Sequence, residues 1–242
     1  MKVLILAGGR GRRLGDMSET ANKCMLRVAG RPLIEYSLEC AYQAGFREID
    51  ILVGYRAQEI METYGPAFRS IPIRYIQQDE QRGVVHAIEC AKEAIDGEDF
   101  MLMLGDELLV NPAHKEMVRY FSSHQEIFGL CGTVKVDDRT LIRKTYAVVS
   151  GSDKKVIRLI EKPQHPPNDW MGTGNILMRT DIFKYIPKTP VNQQRGEREL
   201  PDLIQCAVDD GRIVEPFALC EHYVNVNSAE ELKAASSYFV HY

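Results

Sequence analysis

The sequence predicts one α/β domain on a mixed, mostly parallel sheet, and three features carry that expectation. Four short strand-like segments stand at Lys2–Leu6, Ile49–Val53, Ile71–Ile76 and Phe100–Leu104, the first an apolar run of the kind a buried strand makes. Segments with a helical spacing of apolar residues separate them, which asks for right-handed βαβ units. Beyond residue 127 the texture turns β-rich before helices return, so the second half is expected to fold onto the first.

Taken in order, Lys2–Leu6 is a strand that feeds a glycine loop. Pro32–Ala44 places Leu33, Ile34, Leu38, Ala41 and Tyr42 at helical spacing, with Pro near the first turn and Gly45 as the stop. Ile49–Val53 is a strand, Gln58–Tyr64 a helix, Ile71–Ile76 a strand and Val84–Ile95 a helix. Phe100–Leu104 is a strand that stops at Gly105-Asp106. Strands follow at Ile127–Val134, Tyr146–Ser150 and Val156–Ile160, with Gly151, Ser152 and Asp153 as the turn between the last two. Helices at Glu197–Ala207 and Ala229–Ser237 are separated by strands near Ile213–Phe217 and His222–Val226. No repeat, low-complexity tract or linker divides the chain.

Composition narrows the function classes. The net charge of −4 over 242 residues argues against a dedicated nucleic-acid binder, which needs a basic surplus to neutralise phosphates. The apolar run Val3–Ala7 is too short for a secretory segment, and none approaches the roughly 18–20 residues of a membrane span. The six cysteines are scattered without a CxxC pair, which reads as small buried hydrophobes in a reduced, cytoplasmic protein.

Charge is unevenly placed. Residues 1–31 hold seven basic and two acidic side chains, net +5, leaving −9 on the other 211. Within that segment lies Leu6-Ala7-Gly8-Gly9-Arg10-Gly11-Arg12-Arg13-Leu14. Glycines let successive N–H groups point at one anion, and arginines add forked donors. Leu14 stands where a dinucleotide fingerprint needs its third Gly, and no Gly-Lys-Ser/Thr follows for a P-loop. A polyanionic small ligand such as a triphosphate suits this loop; a solvated basic face is the plainer alternative.

Together with Asn22-Lys23 and Gly30-Arg31-Pro32-Leu33-Ile34, this loop resembles the sugar-phosphate nucleotidyltransferase family. Its members join a nucleoside triphosphate to a sugar 1-phosphate and release pyrophosphate. The family pattern is LAGGxGTRL, then Pro-Lys, then Gly-Lys/Arg-Pro-Leu/Met-Ile; here Arg12 replaces Thr and Asn22 replaces Pro. Further matches are Gln78 with Gly83, Leu104-Gly105-Asp106, Tyr146-Ala147-Val148-Val149 (with Ala147 for Gly), Glu161-Lys162-Pro163 and Thr173-Gly174. The stretch Arg195-Gly196-Glu197-x-Glu199-Leu200-x-Asp202 also agrees in type and order. Tyr223 to Ser228 resembles the closing Trp-x-Asp-x-Gly-Thr, with Asn225 for the second metal-binding Asp.

The resemblance implies a Rossmann-like three-layer αβα fold, one catalytic domain spanning 1–242 with nothing appended, and a Mg²⁺ cofactor. It implies that Ala7, Gly8, Gly9, Gly11 and Arg13 hold the nucleotide's phosphates, with Gln78 and Gly83 at a pyrimidine base. Lys23 would sit over the α-phosphate, and Asp106 and Asn225 would bind the metal. Lys162 and Arg195 would hold the sugar phosphate, with Glu161 at a sugar hydroxyl and Ala147 and Thr173 beside the sugar. Catalysis by positioning and charge neutralisation needs no protein nucleophile, and the six dispersed histidines offer none. The implied partners are UTP or dTTP and a sugar 1-phosphate, without nucleic acid or membrane, and with homo-oligomerisation open. A cytidylyltransferase acting on phosphocholine, a phosphonate or an unusual sugar phosphate is one alternative, and a non-catalytic relative is another. A glycosyltransferase normally needs Asp-x-Asp, which Leu104-Gly105-Asp106 does not provide.

Overall fold

The computed structural model describes residues 1–11 and 21–239. The first half alternates β1 (Lys2–Ala7), α1 (Leu33–Ala44), β2 (Ile49–Val53), α2 (Ala57–Tyr64), β3 (Ile71–Gln77), α3 (Val84–Cys90), α4 (Lys92–Ile95) and β4 (Phe100–Leu104). Then come β5 (Glu107–Val110), α5 (His114–Ser123), β6 (Ile127–Lys135), β7 (Tyr146–Ser150), β8 (Val156–Glu161) and β9 (Trp170–Met178). The chain continues through α6 (Leu200–Asp209), β10 (Ile213–Ala218), β11 (His222–Asn225) and α7 (Ala229–Phe239). Among the described residues no helix is long and apolar enough to cross a membrane.

One ten-stranded sheet runs β8-β7-β9-β4-β1-β2-β3 to a two-residue edge strand at Ala67–Phe68, with β6 paired to β9 and β10 to β6. At its centre β1 lies parallel to both β2 and β4, with Ile5 opposite Ile51 and Met103. Every residue of β1 is buried, and alternate side chains serve two layers, as the period of a strand requires. Val3 and Ile5 pack with Ile34 and Leu38 of α1 and Met117 and Phe121 of α5. Leu4 and Leu6 pack with Val85 and Ile88 of α3 and Leu203 and Ile204 of α6. The result is the Rossmann-like three-layer arrangement. A smaller cluster, including Val28, Tyr36, Leu108 and Phe239, seats α7 against α1 and β5.

The strand β9 is the seam between the halves. Its Met171 and Gly172 pair with β7 and its Ile176–Met178 pair antiparallel with β4, while its other edge carries β6. Between Gly172 and Ile176 the register with β6 shifts, so Thr173, Gly174 and Asn175 bulge from the ladder. Three sequence expectations need correction. The helix expected over Val84–Ile95 breaks at Ala91 into α3 and α4. The helix expected from Glu197 begins at Leu200, because Glu197–Arg198 pairs as a short strand with Val191–Asn192 and Pro201 sits in the helix's first turn. Finally β5, α5 and β9 were not anticipated.

Candidate active site

A cleft of about 570 Å³ opens at the C-terminal ends of β1, β3 and β4. Gly8, Gly9, Gly11, Lys23, Gln78, Gly83, Asp106, Lys162, Arg195 and Asn225 all border it. Ala7 ends β1 behind the loop and is buried. Arg13 lies outside the described residues.

On the loop side, Gly11 has a φ of +66°, and a Cβ there would come within 2.9 Å of Lys23 Cβ. Only glycine lets the loop turn this tightly against the lysine. Lys23 begins a short 3₁₀ turn, Lys23–Met25, whose cap is the buried Asn22. The Asn22 Oδ1 accepts from the Cys24 N–H at 2.8 Å, and its Nδ2 donates to the carbonyls of Ala7 and Tyr55. The asparagine thus ties the turn to the ends of β1 and β2, a job the proline usual there could not do by side-chain hydrogen bonds.

The Lys23 side chain, 9% exposed, forms an ion pair with Asp106 and donates to Asn227 Oδ1 at 3.0 Å. Antiparallel pairing sets Asn225 of β11 opposite Glu107 of β5, next to Asp106. Asn227 Nδ2 donates to Asn225 Oδ1 at 3.0 Å, so Asn227 links Asn225 to the Lys23–Asp106 pair. Among the described residues no three His, Cys, Asp or Glu side chains cluster as a ready metal site. The donor set is one carboxylate with amide oxygens, which suits a hard cation that completes its shell with substrate oxygens.

The far wall carries Gln78, buried just past β3, and Gly83, which precedes α3. A Cβ on Gly83 would lie 2.7 Å from Glu197 Oε2, so this wall is closed by backbone against the short strand before α6.

The opposite side collects Glu161, Lys162 and Arg195. Lys162 follows β8 with a left-handed φ of +41° directly before Pro163, a strained position for a non-glycine residue. Its Nζ donates to Glu161 Oε1 at 2.6 Å, and Arg195 donates to Glu199 at 2.7 Å and to Glu161 at 3.4 Å. Burial pushes the Glu199 carboxyl above its usual range, and Glu161 adds to the effect. The side chains of Ala147 and Thr173 are fully buried. Thr173 Oγ1 donates to the Gly132 carbonyl at 2.9 Å, and the Thr173 carbonyl accepts from Tyr146 OH at 2.8 Å.

Sequence reasoning missed Glu107. This carboxylate accepts from Gly174 N (2.9 and 3.0 Å), Asn175 Nδ2 (2.8 Å) and Tyr223 OH (2.6 Å). It fastens the β9 bulge and β11 to β5 immediately beside Asp106. Burial raises its pKa to about 8 despite these donors. Its place after Gly105-Asp106, where the strand β4 had already ended, gave no sign that the chain would pair again. Arg10, Gln81 and Lys144 also border the cleft without having been anticipated as site residues.

With this geometry in place, comparisons with known proteins become informative. The family model described as nucleotidyl transferase matches residues 2–220. The UTP–glucose-1-phosphate uridylyltransferase AglF of Haloferax volcanii is 30% identical over 90% of this chain and 88% of its own length. A glucose-1-phosphate thymidylyltransferase of Streptomyces griseus is 30% identical over 96% of this chain, which spans 64% of that relative. A Bacillus anthracis crystal structure described as a glucose-1-phosphate thymidylyltransferase superposes with a TM-score of 0.89 at 22% identity, covering 100% of this chain and 96% of that one. The chain belongs to the nucleotidyl transferase family, as a sugar-phosphate nucleotidyltransferase.

Proposed function

We propose that this protein joins UTP or dTTP to a hexose 1-phosphate, giving the nucleoside diphosphate sugar and pyrophosphate. The observation that carries this reading is the convergence on one cleft of two cationic centres from opposite halves of the chain. Lys23 stands beside Asp106 on one side, and Lys162 stands with Arg195 on the other. The substrates in the names of the Haloferax and Streptomyces relatives agree with it.

Both reactants are anions, so the barrier is first electrostatic. A phosphate oxygen of the sugar phosphate attacks the α-phosphorus in line. The new P–O bond forms as the bond to the oxygen bridging α- and β-phosphorus breaks, and pyrophosphate leaves with the electron pair. The attacking phosphate is already ionised, so no protein base is required. The Gly8–Gly11 backbone and Arg13 hold the triphosphate, and Ala7 sets the loop's start. Lys23 leaves Asp106 to bear on the α-phosphate, where charge builds in the transition state. Lys162 and Arg195 fix the sugar phosphate, and Glu161 meets a sugar hydroxyl. Ala147 and Thr173 shape the sugar side through backbone rather than exposed side chains. Gln78 reads the base edge, with Gly83 leaving room for the ring.

Mg²⁺ fits beside the Lys23 ammonium, where Asp106 and the amide oxygen of Asn225 would hold it. Bound there, it would neutralise charge on the α-phosphate and on the leaving pyrophosphate. With Asn225 uncharged, affinity should be lower than for a pair of carboxylates.

The test is pyrophosphate release across all nucleoside triphosphates with a panel of sugar 1-phosphates, phosphocholine and phosphonates. Turnover with UTP or dTTP and a hexose 1-phosphate is expected. Turnover restricted to CTP with a non-sugar phosphate would replace this reading with that of a cytidylyltransferase, and silence in folded protein would end it.

A further inference from the structure

His86 on α3 sits between two polar side chains. Arg82 Nη2 lies 2.8 Å from its Nε2, and Gln78 Nε2 lies 3.0 Å from its Nδ1. A guanidinium can only donate, so Nε2 of His86 must present its lone pair to Arg82. Cys90 Sγ lies 3.7 Å from the same nitrogen. With the lone pair on Nε2, the ring's hydrogen resides on Nδ1. Nδ1–H then donates toward Gln78.

That fixes the amide. The oxygen and nitrogen of a glutamine side chain are nearly identical in shape and are assigned from their partners. As placed, the Gln78 NH₂ faces the ring, so two donors meet at 3.0 Å. Turning Oε1 to Nδ1–H removes the conflict. The NH₂ then takes the place now held by Oε1, against Gly8, whose Cβ would come within 2.9 Å of that oxygen. Gly8 borders the cleft, so this end faces the nucleotide.

We propose that Arg82 and His86 form a tautomer lock that holds Gln78 with its NH₂ toward the base, so that the cleft selects a keto pyrimidine over an amino one. The inference rests on the reading of Gln78 as the base contact. Uracil and thymine carry a carbonyl at C4 that accepts from this NH₂. Cytosine carries an amino group there, a donor against a donor, which leaves both unpaired in a buried place. Arg82 and His86 act through Gln78 and are positioning residues; neither needs to touch the nucleotide.

The experiment measures kcat and KM for UTP, dTTP and CTP with glucose 1-phosphate in the wild type and in Gln78→Ala, His86→Ala, Arg82→Ala and Arg82→Lys. The Arg82 side chain is 65% exposed, so its replacement leaves the core intact. The wild type should prefer UTP or dTTP to CTP. His86→Ala and Arg82→Ala should reduce that preference about tenfold through KM, with kcat little changed, because they release one buried polar mismatch. Arg82→Lys keeps a donor on Nε2 and should restore the preference. A wild type that favours CTP, or an unchanged preference in both alanine variants while Gln78→Ala alters it, overturns the lock. A preference unchanged in Gln78→Ala overturns instead the assignment of Gln78 to the base.

Discussion

The buried His114 makes acid stability a measurable property of this fold. It is the first residue of α5 and is 3% exposed. Nε2 hydrogen-bonds Asn175 Oδ1 at 2.8 Å, while Nδ1 is buried without a partner. Because Asn175 offers its oxygen, the ring's hydrogen is on Nε2 and Nδ1 keeps a bare lone pair. Protonation would put an N–H there with nothing to accept it, and burial accordingly lowers the pKa from 6.5 to about 4. The folded state thus binds a proton less readily than the unfolded chain. Stability from this group is complete above pH 6.5 and is lost as pH falls from 6.5 toward 4. At pH 4.5 the linked loss works out to roughly 2–3 kcal/mol. In His114→Gln the side-chain amide can keep the donor to Asn175 while removing the titration. Reversible urea unfolding at pH 7 and pH 4.5 should show wild type losing roughly 2–3 kcal/mol more than His114→Gln across that interval. Equal losses in the two proteins would refute the assignment of the acid sensitivity to this ring.

Three further outcomes are expected. Lys23→Ala and Asp106→Ala should each reduce pyrophosphate release at least about a hundredfold with folding intact by circular dichroism, as loss of a preorganised electrostatic group does; a tenfold loss or less removes them from the catalytic assignment. Glu107→Ala strands Gly174 N, Asn175 Nδ2 and Tyr223 OH without an acceptor, and should destabilise by at least about 3 kcal/mol in thermal or urea unfolding. Gly83→Ala places a Cβ 2.7 Å from Glu197 Oε2 at a φ of +89°, so it should raise KM for the nucleotide severalfold with a smaller change for the sugar phosphate.

How much of this was legible varied with the range of the forces involved. Ile49–Val53 and Phe100–Leu104 match their strands residue for residue because a short run of apolar residues, broken only by Asp50, is a local signal. By contrast β9 reads Trp-Met-Gly-Thr-Gly-Asn-Ile-Leu-Met, with two glycines and an asparagine breaking its pattern. Its pairing with β7, β4 and β6 imposes the extended shape from outside. The helix α5 buries only a narrow apolar face, mainly Met117 and Phe121, too sparse a pattern to mark a helix in the sequence. Glu197 looked helical by its neighbours, yet the two-residue pairing with Val191–Asn192 holds it back so that it can close against Gly83.

The same division runs through the site. The sequence by itself determined the family, the Gly-rich loop, the lysines at 23 and 162 and the aspartate at 106, because each sits in a short motif whose spacing is fixed by adjacent backbone. Only tertiary structure could bring Lys23 to Asp106 across 83 residues and to Asn227 across 204. It alone set Lys162 and Arg195 around one Glu161 oxygen, and it alone recruited Glu107, Asn175 and His114 into a buried chain behind the cleft. Motifs specify which charges the chemistry has available. Sheet register and burial decide which of those charges meet, because hydrogen bonds and ion pairs depend on separations of a few ångströms that no sequence interval encodes.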